Sequence, residues 1–147
     1  MSKKIYYQFG LLTIVMGLFV LSGCSKDDDD DSGIVGTWYG SREGVEDAYI
    51  YTFKSDNTYT MLADEYPGIS DLLKGTYSIS GNVLTISSQE RIRLTKDSDG
   101  NWIEIENSRY AYQRSNTYTY SISGKELTLS YTDKATGKMI YKIYTKK

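Results

Sequence analysis

The stretch DAYIYTFKSDNTYTML, residues 47–62, consists of two alternating runs around a four-residue break. Tyr49, Tyr51 and Phe53 share one side of the first run, and Tyr59 and Met61 share one side of the second. That is the period of two expected of strands that turn one face to a core. Lys54-Ser55-Asp56-Asn57 predicts a hairpin turn between them, because Asp and Asn accept left-handed backbone geometry.

The same pattern runs outward from there. TYSISG (76–81) and NVLTIS (82–87) predict a second strand pair, which RIRLT (91–95) continues; NWIEIE (101–106) and RYAYQ (109–113) follow the DSDG turn at 97–100. NTYTYSISG (116–124), KELTLSY (125–131) and KMIYKIYT (138–145) complete the chain, the last two separated by Asp133-Lys134-Ala135-Thr136-Gly137. Turn signals at this short, regular spacing predict an all-β antiparallel meander, either a barrel or a sandwich. DEYPGISDLLK (64–74) breaks the alternation and holds the chain's one proline. Ile69, Leu72 and Leu73 lie at helical spacing, which predicts one short helix or lid loop near 64–74. YSISGNVLTIS (77–87) is echoed by YSISGKELTLS (120–130), forty-three positions on. One echo is too little for a repeat array and reads as one hairpin solution used twice in a sheet.

Ahead of residue 33 the composition changes. Lys3 and Lys4 precede an apolar run from Phe9 to Leu21, which fits an export signal and is short for a permanent membrane span. The run ends in Leu21-Ser22-Gly23-Cys24, which resembles a bacterial lipobox, and the resemblance implies cleavage before Cys24 and lipid attachment to its thiol. Asp27 to Asp31 make the following segment like-charged and polar, predicting a disordered tether. Ser25-Lys26-Asp27-Asp28-Asp29 resembles the acidic export signal of Bacteroidetes lipoproteins, which implies an outer-membrane, lipid-anchored protein at the cell surface, with the periplasmic face as the alternative. The expected organisation is thus a signal peptide over 1–23, a lipidated Cys and tether over 24–33, and a folded domain over 34–147.

Cys24 is the single cysteine, so the domain has no intramolecular disulfide and must be held by its core. At this length one core suffices. With the tether and signal set aside, residues 33–147 carry 14 acidic and 14 basic side chains. A formally neutral domain without a basic stripe argues against nucleic-acid binding. The membrane is then met through the N-terminal lipid.

The folded domain has no His and no Cys, which removes the commonest general base, the usual metal ligands and a thiol nucleophile. Glu104 and Glu106 share a strand face, a pair that glycoside hydrolysis could use, but an exposed alternating face explains them better. KDSDGNW (96–102) lacks the glycine position of a calcium loop and reads as a tight turn. A non-enzyme without metal or cofactor is expected.

Ile34-Val35-Gly36-Thr37-Trp38 opens the first strand with a Gly-x-Trp that resembles the lipocalin family. YTFKSDNTYT (51–60) and GTYSISGNVLTIS (75–87) resemble the hairpins of bacterial lipocalin-like domains. The resemblance implies an up-and-down barrel of about eight strands, with Gly36 and Trp38 at its closed end. Lipocalins often place an Arg over that Trp from the last strand; here the corresponding region offers Lys138, Lys142, Lys146 and Lys147, which lack the planar stack of a guanidinium.

Thirteen tyrosines follow the signal segment, each with an apolar body and a polar tip. They suit a barrel interior that binds a small apolar or amphipathic ligand, and equally surface ladders that stabilise a sheet. If a cavity exists, Tyr49, Tyr51, Phe53, Tyr59, Met61, Tyr118 and Tyr120 are the candidates to line it. The other reading is a non-enzymatic accessory module whose barrel is filled by its own side chains and whose surface meets an envelope protein or a glycan.

Overall fold

A computed structural model describes residues 33–147; the signal segment, Cys24 and the aspartate tether lie outside the described residues. Eight strands run in chain order around one closed antiparallel barrel: β1 (Gly36–Arg42), β2 (Val45–Phe53), β3 (Thr58–Tyr66), β4 (Ile69–Ser80), β5 (Val83–Lys96), β6 (Trp102–Ser123), β7 (Glu126–Thr132) and β8 (Met139–Lys146). The all-β barrel expected from the alternation is therefore the fold.

The turns follow local chemistry. Asn57 takes φ +64 in the 54–57 hairpin, and Asp56 Oδ1 accepts from Thr58 N at 3.0 Å. The two echoed segments make the same reversal: Gly81 and Gly124 each stand first in a two-residue loop, with φ +59 and +55. Only a residue without Cβ occupies that position cheaply. In the 97–101 turn Asp97 Oδ1 accepts from Asp99 N and Asn101 N at 2.9 and 2.8 Å.

Two expectations are corrected. No helix or lid loop forms at 64–74: β3 and β4 run through it and reverse at Pro67-Gly68, where Gly68 has φ +81. The helical spacing of Ile69, Leu72 and Leu73 is overridden because β4 is hydrogen-bonded on both sides, to β3 and to β5. The segments expected as separate strands between 101 and 124 are one strand, β6, 22 residues long. Its interruptions are irregularities within the β5–β6 ladder, and Asn107 is left-handed at φ +57.

The core sits at the end where β1 begins. Trp38, Phe53, Leu84, Leu127 and Leu129 are essentially inaccessible there, and Trp38 Nε1 donates to Ile34 O at 2.8 Å. Tyr51 stacks on Phe53 with centroids 5.5 Å apart, and Tyr77 meets Phe53 edge-on at 5.0 Å. β8 closes on β1 through Trp38↔Lys146 and Tyr39↔Thr145. Lys146 lies across this end with its Nζ 5.8 Å from the Trp38 ring centroid. Its stem covers Gly36, where a Cβ would stand 2.8 Å from Lys146 Cε. Lysine thus covers the tryptophan through its methylenes and ammonium, without the planar stack an arginine would make.

Candidate functional site

Strand lengths create the site. β5 and β6 are 14 and 22 residues long, whereas β7 and β8 have only 7 and 8. β7 stops because Asp133 begins a turn: its N donates to Lys138 O, and its carboxylate accepts from Ala135 N and Thr136 N at 2.8 and 2.9 Å. Those bonds hold the Asp133 carboxyl below its ordinary pKa. Pairing between β6 and β7 covers only Thr119–Ser123 against Glu126–Ser130, so Tyr131 and Thr132 at the end of β7 pair with β8 alone. Beyond Thr119 the two strands part, and a cleft of about 740 Å³ opens between β6 and the β7–β8 hairpin.

Behind the cleft, inside the barrel, is a smaller cavity of about 160 Å³. Six tyrosines line it: Tyr49, Tyr51, Tyr59, Tyr112, Tyr118 and Tyr144. Arg114, Asn116, Tyr118 and Lys142 line both spaces, so they stand where the cavity meets the cleft. On β6, residues 112, 114, 116 and 118 are alternate positions and share the inward face, as Lys142 and Tyr144 do on β8.

Four of these phenols, Tyr51, Tyr59, Tyr118 and Tyr144, are held protonated. Burial pushes the Tyr51 hydroxyl well above its ordinary pKa, and Tyr144 beside it raises it further. Tyr144 is likewise raised, chiefly by burial. Burial also raises Tyr118, with Tyr131 adding and Arg114 opposing, and raises Tyr59 against the effect of its bond to Ser88. Tyr59 Oη and Ser88 Oγ share that hydrogen bond at 2.6 Å. Arg114 Nη1 lies 3.4 Å from Tyr112 Oη, and Lys142 Nζ is 5.4 Å from the centroid of the Tyr49 ring. Such a surface donates hydrogen bonds, offers ring faces and carries positive charge at its opening.

Of the residues expected at a cavity, Tyr49, Tyr51, Tyr59, Met61 and Tyr118 line it together. Phe53 lies below it in the packed core, and Tyr120 packs against that core opposite Leu129. Gly36 and Trp38 form the closed end. Tyr112, Arg114, Asn116, Lys142 and Tyr144 were not anticipated. Continuing the period of two back from Tyr118 reaches Asn116, Arg114 and Tyr112, a signal lost when this region is divided into several strands. Glu104 is committed elsewhere: Arg109 donates to it at 2.7 and 3.1 Å, and to Glu90 at 3.0 Å, on the exposed surface. Deeper in the ladder the buried Asp71 pairs with Arg91 and Arg93.

A closed eight-stranded meander with a Gly-x-Trp at its sealed end and a tyrosine-lined interior has the architecture of a lipocalin-like barrel. Residues 34–98 match a family model described as a lipocalin-like domain, covering β1 to β5 and the start of the following turn. No curated protein and no solved structure matches the chain. Arg114, Lys142 and Tyr144 all fall beyond the matched residues.

Proposed function

We propose that this chain is a membrane-anchored binding protein whose barrel takes up a small amphipathic ligand without transforming it. The observation that carries the reading is the tyrosine-lined cavity opening into the cleft between β6 and β7. The cavity alone is smaller than a drug-sized pocket, but cavity and cleft together give a ligand a buried end and a solvated one. Native mass spectrometry of the protein purified from its own host tests it: a co-purifying small molecule, lost on denaturation, is the expected result. Repeated isolation of bare protein, together with no uptake from a host extract, would overturn it.

Anchorage belongs to the same proposal. Cys24 accepts the lipid and Asp27 to Asp31 hold the barrel off an outer membrane at the cell surface. Cys24→Ala is expected to abolish membrane association. Replacing the aspartates with Ala should leave an anchored protein less accessible to external protease; unchanged accessibility would reduce the run to a spacer.

One observation favours a second reading, an accessory module meeting another envelope protein or a glycan. Among the described residues, 102–118 of β6 have no paired strand on the side away from β5. Such an edge can accept an added strand. A stable protein complex recovered with the bare chain would favour it over the binding reading.

A further inference from the structure

We infer that the ligand is an organic anion: its acidic group sits between Arg114 and Lys142, and a single ring or short apolar tail enters the tyrosine-lined cavity. This rests on the binding reading above and specifies its chemistry.

Positive charges are left over where the cavity meets the cleft. Four other cations have carboxylate partners: Arg91 and Arg93 share Asp71, Arg109 has Glu90 and Glu104, and Lys147 has Asp47. Among the described residues, Arg114 and Lys142 have none, and neither does Lys134, which lines the cleft but not the cavity. Arg114 contacts the Tyr112 hydroxyl, and Lys142 stands over the Tyr49 ring. Both line the cavity and the cleft, and no carboxylate lines the cavity. Asp133, on the cleft, is occupied by the backbone N–H groups of its own turn. The domain's neutral balance therefore conceals a local excess of positive charge where the cavity meets the cleft. An anion there would meet two charged donors, with neutral phenols behind it.

Size sets the rest of the molecule. A cavity of about 160 Å³ is close to one that holds a single benzene ring, at about 150 Å³. Larger portions of a ligand would lie in the cleft. Tyrosine faces suit a ring, and their hydroxyls suit a polar substituent.

A matched pair of probes separates the anion from the ring: 4-phenylbutanoate and 4-phenylbutan-1-ol, titrated against the full chain in nonionic detergent and followed by amide NMR shifts. Both are expected to move signals of the cavity residues, with the acid binding about tenfold or more tightly, as two charge-assisted contacts would give. Raising salt to about 1 M, where screening acts within about 3 Å, should remove most of that preference. The double variant Arg114→Gln/Lys142→Gln is expected to lose the preference and to bind acid and alcohol with about equal affinity. Both side chains are exposed, so the variant should keep the native spectrum elsewhere. Equal binding of acid and alcohol, or a preference that survives in the variant, would overturn the anion inference and leave the binding reading standing. No shift at cavity residues with either probe would overturn both.

Discussion

The ring of Tyr144 fills the space that a side chain at Gly40 would need. A β-carbon there would stand 2.5 Å from Tyr144 Cδ1 and 2.6 Å from Cε1. Tyr144 cannot retreat, because it is buried and meets Tyr51 edge-on at 5.3 Å. Gly40→Ala is expected to cost about 2 kcal/mol, the usual scale for overpacking a core. Urea unfolding measures it, and an unchanged midpoint would show that the ring has room to move.

Lys146 covers Trp38 with both stem and charge, so its two contributions can be separated. Lys146→Ala should lose about 1 kcal/mol, as expected for a partly exposed cation on an indole together with the packing of its methylenes. Lys146→Arg should retain stability, since the guanidinium also lies well on a ring. Equal losses in both variants would show that only the ammonium's own geometry is tolerated.

Tyr59 and Ser88 bridge β3 and β5 by a hydrogen bond inside the barrel. Tyr59→Phe leaves the buried Ser88 hydroxyl without that partner and should cost about 1–2 kcal/mol. Ser88→Ala should cost a similar amount, and the double variant less than the sum. A coupling energy of about 1 kcal/mol from the cycle is expected; additivity would mean that the bond contributes nothing net.

Alkaline pH should unfold the barrel through its tyrosines. Burial raises Tyr51, Tyr59, Tyr77, Tyr118 and Tyr144 above their ordinary value of 10.0 in the folded state. The unfolded chain then releases these protons first, so their contribution to stability is complete below about pH 10 and declines as pH rises toward the folded values. Urea midpoints should stay level on this account up to about pH 10 and drop beyond it. In a spectroscopic titration these five phenols should ionise only as the fold is lost. Reversible ionisation of every tyrosine near its ordinary pKa, with the fold intact, would contradict the burial.

Much of the barrel was legible because its information is local. The alternation at 47–62 placed Tyr49, Tyr51, Tyr59 and Met61 on one side of their strands, and the Gly81 and Gly124 turns were readable from one echoed motif. The reading failed at 64–74, where apolar spacing resembled a helix while Pro67-Gly68 made a hairpin. Hydrogen bonding to strands on both sides outweighs three apolar positions, and those partners lie far along the chain.

By itself, the sequence determined an all-β meander, the positions of most of its reversals, the tyrosine-rich faces and the absence of a thiol or imidazole from the barrel. Strand period and turn chemistry are set within a few residues, so they can be read without knowing what lies opposite. Only the tertiary structure decided that β6 and β7 part beyond Thr119, that Arg114 and Lys142 both line that opening, and that Phe53 packs in the core instead of lining a cavity. These outcomes depend on where strands of unequal length stop against one another around a closed barrel. That mismatch is a property of the assembled ladder and of no single segment.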